Sequence, residues 1–254
     1  TPTTPAAGPA ADVAPPPRLL RGTIASDVGL RQTGFVEQGD LKASARIVGS
    51  REEKEMLATL DEAYIEFSKR DPLVAGERYS IYRVVSEVKD PGSRRVIGSI
   101  VEILGDVEVR SVGENRIAKA VITEALNPIE RGFRVGALRR RFSLAEPVAS
   151  TQDLDAQVVA AIRPTELVGE AMLVFLDRGK DDGVAVGNRF LVVRRGDGIQ
   201  PLLQKKNKDD DRFPQEIFGE AQVVEVRART STAMVLRSTR ELAIGDVVEA
   251  RKGY

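Results

Sequence analysis

The chain of 254 residues contains neither cysteine nor histidine. Without cysteine it forms no disulfide and has no thiol chemistry, and cysteine usage indicates no redox compartment. Without histidine it lacks the commonest general base and the commonest metal ligand near neutral pH. Most enzyme mechanisms are therefore hard to build from this sequence, although its length suits two domains, each able to bury a core.

The sequence also lacks an excess of charge, since 38 lysines and arginines balance 38 aspartates and glutamates. A chain with no net charge has no basic field to hold a polyanion, which argues against nucleic acid as a partner. Long apolar runs are missing as well. The run at residues 158–162 is far shorter than the roughly 20 residues that a membrane-spanning helix needs.

Residues 1–17 form a tract rich in proline and alanine that carries a single charge, at Asp12. Such a composition cannot bury a core and favours extended polyproline conformations, which is typical of a linker. The chain begins with threonine and has no signal peptide. We therefore expect it to be the C-terminal part of a longer protein with an upstream module; the alternative is an ordinary disordered tail.

The chain contains an internal repeat with a spacing of about a hundred residues. Residues 76–83 (GERYSIYR) match residues 187–194 (GNRFLVVR), with glycine, arginine and an aromatic in step. The repeat continues on both sides, pairing 45–49 with 157–161, 62–67 with 170–175, 98–103 with 219–224, 119–122 with 232–235 and 132–135 with 245–248. Because such self-similarity defines the folding unit, we predict an all-β protein of two tandem, mutually similar small antiparallel β-barrel or sandwich domains, at 18–145 and 146–254.

Local patterns predict several individual elements. Residues 90–93 (DPGS) predict a type II turn of a hairpin, with positive φ at Gly92. The second unit has a longer polar stretch, 200–215, at the same junction, and loops tolerate such insertions. Residues 50–53 (SREE) match a capping box and predict a short helix. Residues 153–162 fit a helix or a strand, and their place in the repeat favours a strand.

Two glycine-containing patterns invite ligand-binding interpretations that their spacing does not support. Gly76, Gly187, Gly132 and Gly245 each precede a predicted strand, where turns need positive φ, and none opens a phosphate-binding helix. Residues 177–183 (DRGKDDG) resemble a calcium loop, but glycine stands at the third position and the glutamate of the twelfth is missing. We predict turns at these places and assign no metal and no cofactor.

Two clusters of basic residues are candidates for partner binding. Arginines gather near the end of the first unit, and lysines lie in the long polar stretch of the second. A surface of this kind fits an acidic partner face; the alternative is a solvated edge whose charges discourage strand pairing. The candidate partner-binding residues are Arg139, Arg140, Arg141, Lys205, Lys206 and Lys208.

The same motifs bring a family resemblance. Residues 34–36, 45–54, 61–65 and 76–83 resemble the region that follows the LysM module in a class of bacterial cell-envelope proteins. Residues 177–184, 187–190, 219–221, 230–233 and 245–246 resemble the C-terminal domain of the flagellar H-ring assembly protein FlgT. The combination, which covers nearly everything after Arg18, is similar to the TsaP-like secretin-associated proteins of type IV pilus machines. No LysM module is present in the sequence.

The resemblance implies a non-enzymatic periplasmic scaffold associated with the outer membrane and cell wall. Its implied partners are an outer-membrane secretin oligomer, peptidoglycan bound through the upstream LysM module, and further copies of itself in a ring. One alternative is an accessory of a flagellar ring or a polysaccharide-export complex. Another is an envelope hydrolase with paired carboxylates, such as Asp61 with Glu62 or Glu170 with Glu166. No pair stands out by spacing, and we assign no catalytic residue.

Overall fold

The computed structural model describes residues 28–29, 32–162, 167–195 and 213–254. The predicted linker at 1–17 lies outside these ranges. Within them the regular secondary structure is almost entirely strand, which confirms the predicted all-β class. The elements of the first unit are β1 (Val28–Gly29), β2 (Thr33–Glu37), α1 (Gln38–Ala43), β3 (Ala45–Ser50), β4 (Met56–Leu57), β5 (Glu62–Glu66), β6 (Arg78–Lys89), β7 (Val96–Val112), β8 (Ile117–Ala125), β9 (Ile129–Glu130), β10 (Arg134–Gly136) and β11 (Arg141–Phe142).

The second unit is a closed antiparallel barrel ordered β12-β14-β17-β16-β15-β19. A two-stranded pair, β13 with β18, accompanies it. The predicted boundary between 145 and 146 falls between β11 and β12, and the segment 153–162 contains the strand β12, as predicted. The strands are β12 (Leu154–Ala161), β13 (Leu167–Val168), β14 (Leu173–Leu176), β15 (Arg189–Arg195), β16 (Gln215–Val226), β17 (Ser231–Ser238), β18 (Leu242–Ala243) and β19 (Val247–Ala250).

The first unit repeats this pairing order. Its seven-stranded sheet runs β2-β7-β6-β10-β3-β5-β8, and an additional pairing of β7 with β8 joins the sheet on itself. Six strands, β3-β5-β8-β7-β6-β10, therefore form a ring in the same order as the second barrel. The pair β4 with β9 occupies the place of β13 with β18. The tandem repeat predicted from the sequence is thus matched strand for strand.

Backbone conformation repeats together with topology. Gly132 N–H donates to Ile47 O at 2.7 Å, and Gly245 N–H donates to Val158 O at 2.7 Å, so Ile47 and Val158 are equivalent. The predicted turn glycines do need positive φ. Equivalent positive φ angles are found at Gly76 (85°) and Gly187 (93°), Gly132 (91°) and Gly245 (94°), and Leu60 (74°) and Ala171 (60°).

The sequence alignment of the repeat is wrong in three strands. It pairs Ile47 with Val159, whereas the structural equivalent of Ile47 is Val158. For β5 it is shifted by three residues relative to the structural equivalence. In β7 the equivalent of Gly219 is Gly105, since Gly105 pairs with Ile81 and Gly219 pairs with Val192 at the same place of the repeated strand. Inward-facing residues recur every second position in a strand, so apolar patterns match almost as well in a shifted register.

Two predicted local elements are also wrong. Residues 51–53 form no helix: the Ser50 hydroxyl donates to Glu52 O, and Arg51 N–H donates to Glu62 O at 3.1 Å, which prolongs the β3–β5 pairing. The hairpin after β6 forms, but the positive φ falls on Arg94 (60°) instead of Gly92. Arg94 N–H donates to Asp90 O at 2.9 Å, so this turn is one residue longer than a type II turn.

Each barrel encloses its own apolar core because side chains alternate between the inside and the outside along every strand. The first core is built around Ile47, Ile65, Ile81, Ile122 and Val135, all completely buried. The second contains the equivalent Val158, Leu176, Val192, Val235 and Val248, each at most 1% exposed.

Candidate functional site

The predicted arginine cluster does not form one basic surface. Arg140 is largely buried and donates from Nη1 to Asp106 Oδ2 at 2.5 Å and to Glu124 Oε2 at 2.8 Å. Arg139 is exposed, with its Nε 3.9 Å from Glu225 of the second barrel. Arg141 is exposed in β11, where it pairs with Gly29 of β1. The partner-binding role of these arginines stays a prediction.

The predicted lysines, Lys205, Lys206 and Lys208, lie outside the described residues. The loop that contains them joins β15 to β16, which pair as an antiparallel hairpin. The predicted hairpin is therefore confirmed, and the binding role of the lysines stays a prediction.

A third apolar core lies between the two barrels. From the first unit it contains Phe35, Val88 and Phe142, and from the second it contains Val159, Ala160, Ile162, Leu173, Phe175, Val224 and Met234. We call these ten residues the inter-barrel core. Phe35 stacks on Phe175 with ring centroids 4.7 Å apart and an interplanar angle of 25°. Burial of this much apolar surface fixes the barrels against each other.

Polar contacts surround the inter-barrel core. Glu37, at the end of β2, is only 8% exposed, and its Oε1 accepts hydrogen bonds from Arg229 N–H at 3.1 Å and from the Thr230 hydroxyl at 2.6 Å. Arg227 of the second barrel reaches Asp40 of α1 at 3.5 Å. These contacts orient the first unit on the loop that joins β16 to β17.

The β6–β7 hairpin also reaches the second barrel. Its turn residue Asp90 lies near Asp177, which accepts a hydrogen bond from Gln157 N–H at 2.7 Å and pairs with Arg178 at 3.0 Å. Burial is the main cause that raises the pKa of Asp177, and the Asp90 carboxylate acts in the same direction.

An exposed strand edge lies next to the junction. Residues 83–87 of β6 are all exposed, and among the described residues they pair only with β7. On their other side β10 pairs with Ser80, Ile81 and Tyr82 and then ends. Val84 is 41% exposed and Val85 is 62% exposed. We call residues 83–87 the open edge, because a strand presents unpaired backbone groups where its neighbour stops.

A shallow groove of about 260 Å³ runs beside the open edge. Residues of both units line it: Gln32, Thr33, Val85, Ser86, Ile100, Val101 and Glu102 from the first and Ala161 of β12 from the second. A β-bulge between Val84 and Ser86 brings Val85 and Ser86 to this same groove. The groove is mostly apolar and contains no titratable group except Glu102, which is paired with Arg83 at 2.7 Å.

The carboxylates considered for hydrolysis are engaged in local structure. Asp61 accepts from Ala58 N–H at 2.9 Å and pairs with Lys54 at 3.0 Å, and the Ala58 bond is the first cause that lowers its pKa. Glu62 pairs with Arg51 at 3.2 Å. Glu170 accepts from Ser238 N–H at 3.1 Å, while Glu166 lies outside the described residues.

The sequence contains a signal for the inter-barrel core, although no motif marks it. The runs 158–162 and 173–176 are apolar at every position, which is typical of strands buried on both faces. They predict a second buried surface outside the barrel, and this surface is the inter-barrel core. Glu37 gave no such signal, because an acidic residue at the end of a strand is more often solvated.

Comparisons with known proteins found no family model that matches the chain and no significant match among curated proteins. Among the described residues, no helix has the length and apolar character needed to cross a membrane. The same ranges contain no group of three or more carboxylate side chains arranged to hold a metal ion.

Proposed function

We propose that this protein is a non-enzymatic periplasmic scaffold that associates with the outer-membrane secretin ring of a type IV pilus machine. In this proposal an upstream LysM module, joined through the linker at 1–17, anchors the ring to peptidoglycan. The proposal combines the TsaP-like motifs of the sequence with the construction of the molecule. A scaffold needs two binding regions held at a fixed spacing, and the inter-barrel core supplies that spacing.

The observation that carries the proposal is that every buried carboxylate of the described residues is bound to groups of the protein itself. The buried charged residues of the described chain are Glu37, Glu220 and Asp246. Glu37 joins the two units, Glu220 lies between Arg189 at 3.1 Å and Arg237 at 3.2 Å, and Asp246 pairs with Arg194 at 2.7 Å. Each holds neighbouring segments together, whereas a catalytic acid must face a substrate cleft. This use of charge favours a structural role.

The proposal is tested by mixing the 254-residue chain with a purified pilus secretin in detergent and following both by size-exclusion chromatography. We expect the chain to elute with the secretin. Elution of all of the chain at its own volume, at a chain concentration of about 10 μM, roughly ten times the Kd of a micromolar site, would contradict a scaffold role on the secretin.

A variant pair locates the contact. Arg139→Glu with Arg141→Glu reverses the two exposed arginines of the predicted site and leaves the buried Arg140 in place. Arg70→Glu with Arg95→Glu makes the same change of charge at two other exposed positions of the first unit. Loss of secretin binding in the first pair alone would assign the contact to the arginine site; equal binding by both pairs would remove these arginines from it.

The flagellar-ring or export-complex alternative uses the same fold with a different partner. The same chromatography with a purified flagellar basal body separates the two. Binding to the basal body in the absence of binding to the secretin would replace the leading proposal with this alternative.

A further inference from the structure

The turn between β4 and β5 holds a large apolar side chain in a backbone conformation that favours glycine. Leu60 has a φ of 74° and is 78% exposed, more than any other large apolar residue of the described ranges. Its N–H donates to Ile122 O at 2.8 Å, and the Asp61 carboxylate accepts from Ala58 N–H at 2.9 Å, which fixes the turn. A left-handed conformation is costly for a residue with a bulky side chain. Leu60 therefore adds strain and buries little apolar surface in return.

The second barrel builds the same turn with a small residue. Ala171 stands at the position of Leu60, has a φ of 60°, and donates its N–H to Val235 O at 2.9 Å. In both turns the preceding side chain accepts a backbone N–H of a neighbouring strand at 3.1 Å; these side chains are Thr59 and Glu170. Because alanine is sufficient for the fold at this position, we look for the role of the leucine outside the chain.

A second exposed apolar side chain and an excess of carboxylates accompany Leu60. Met56 in β4 is 59% exposed, and Glu130 pairs with it from β9, followed by the exposed Arg131. We call residues 51–62 the acidic segment, because they contain five carboxylates and two cations. The carboxylates are Glu52, Glu53, Glu55, Asp61 and Glu62, and the cations are Arg51 and Lys54.

The cations of the acidic segment are both used internally. Lys54 contacts two of its carboxylates at 2.6 and 3.0 Å, and Arg51 contacts a third at 3.2 Å. The contact at 3.0 Å joins Lys54 to the residue after Leu60, so it brings the stretch around Met56 next to the turn. The remaining two carboxylates, at 53 and 55, are exposed and take part in none of the ion pairs within the described ranges. Two apolar side chains are thus exposed on a surface with uncompensated negative charge.

We propose that the acidic segment is a docking surface for a protein segment that carries lysine or arginine beside an apolar side chain. Leu60 and Met56 contact the apolar side chain of the partner, and Glu53 and Glu55 pair with its cations. The negative charge repels nucleic acids and anionic lipid surfaces, so neither is the occupant. The inference goes beyond the proposed function, because it uses none of the arginines assigned to the secretin contact and requires no secretin.

Site-specific photo-cross-linking in the cells that produce the protein tests the contact. The photoreactive residue p-benzoylphenylalanine replaces Leu60 or Met56, and the controls carry it at Ala171, in the equivalent turn, or at Val74, which is 55% exposed. We expect a cross-linked protein at the first two positions and not at the controls. Mass spectrometry of the linked peptide should find lysine or arginine next to an apolar residue. A yield no higher than that of the controls, a linked peptide without basic residues, or a link only to another copy of this chain would overturn the proposal.

Charge reversal tests the electrostatic part of the contact. With the cross-linker at position 60, Glu53→Lys with Glu55→Lys should lower the yield at least about tenfold, because like charges then face each other. Glu77→Lys with Glu114→Lys makes the same change of charge at two other exposed positions of the first unit and should leave the yield unchanged. Equal yields from the two double variants would overturn the proposal.

Leu60→Gly separates docking from folding. Glycine adopts positive φ without strain, so the purified variant should unfold at a Tm about 2–4 °C higher. Val74→Gly, at an exposed residue without positive φ, should lower the Tm. With the cross-linker at Met56, Leu60→Gly should abolish the cross-link. A lower Tm in Leu60→Gly would show that the leucine serves the fold, and an undiminished cross-link would show that it does not contact the partner; either result would overturn the proposal.

Discussion

Phe35 of β2 and Phe175 of β14 stack across the junction of the two barrels, with ring centroids 4.7 Å apart. Both rings are almost completely buried, at 2% and 3% exposure. Neither points into a barrel, so their burial depends on the contact between the units. This pair therefore reports the junction separately from the folding of either barrel.

Phe35→Ala should lower the free energy of unfolding by about 3–5 kcal/mol, because it removes a buried ring and leaves a cavity. Phe175→Ala should have a similar effect. A double-mutant cycle measured by urea unfolding should give a coupling energy of about 0.5–1.5 kcal/mol, the usual value for an aromatic pair. Val85→Ala, at a residue 62% exposed, is the control and should change little. If the changes in the free energy of unfolding of the two single variants simply add up in the double variant, the contact between the rings is contradicted.

Glu37→Ala should destabilise the protein by about 1–3 kcal/mol, because it leaves the Arg229 N–H and the Thr230 hydroxyl without their acceptor. In the double variant Glu37→Ala with Thr230→Val, part of this loss should be recovered, since one of the stranded donors is removed as well. Glu87→Ala serves as the exposed control. Chemical denaturation measures the free energy of unfolding of the three variants. An unchanged value in Glu37→Ala would show that the hydrogen bonds of Glu37 do not stabilise the junction.

Gly105 and Gly219 mark the same place in the repeated strand, and the backbone of the next strand lies close to both. A Cβ at Gly105 would overlap Glu124 O, and one at Gly219 would lie 3.1 Å from Arg237 O. Gly105→Ala should therefore cost about 1–3 kcal/mol, as overpacking does. Gly39→Ala has open space in α1 and should stabilise by about 0.5–1 kcal/mol. Thermal unfolding would contradict this account if both variants had the same effect.

Asp177 and Asp61 should respond to pH with opposite signs. Burial raises the folded-state pKa of Asp177 above 3.8, so the stability linked to it is present below 3.8 and is lost as pH rises through the folded-state value. The pKa of Asp61 is lowered, so its contribution is present above 3.8 and is lost as pH falls through the folded-state value. Asp177→Asn should therefore cost more at acidic than at neutral pH, and Asp61→Asn the reverse.

Urea unfolding between about pH 7 and pH 3 measures both variants across this window. Asp181→Asn, which removes an exposed charge from the same loop as Asp177, controls for the change in net charge. Parallel pH profiles for Asp177→Asn and Asp61→Asn would show that the two carboxylates do not differ in the way their contacts indicate.

The sequence predicted what depends on short-range backbone chemistry. Gly76 and Gly187 have the positive φ that their turns require, and the repeated motif that they open does mark the same strand in both units. The register of the repeat is harder to predict from sequence. Apolar residues alternate with a period of two, so a shifted strand matches almost as well, and for this reason the sequence pairs Gly219 with Gly98 instead of Gly105. Helix α1 begins at Gln38 after Glu37, which makes no side-chain cap, and it contains Gly39, so local signals for it were weak.

The contacts between the barrels depend on residues far apart in the chain. Glu37 and Thr230 are separated by 193 positions, and nothing in either neighbourhood predicts their hydrogen bond. The open edge has no local signal for a related reason: Val84 and Val85 look like ordinary strand residues, and they are left unpaired only because β10 begins at Arg134, opposite Tyr82. Such features follow from the assembled sheet and not from local pattern.

Cryo-electron microscopy of a pilus secretin purified together with this chain tests the central proposal most directly. The account predicts additional density around the secretin ring into which the two joined barrels fit as one unit, with the Phe35–Phe175 junction intact. A secretin ring without added density, while the chain remains alone in solution, would contradict the proposed scaffold.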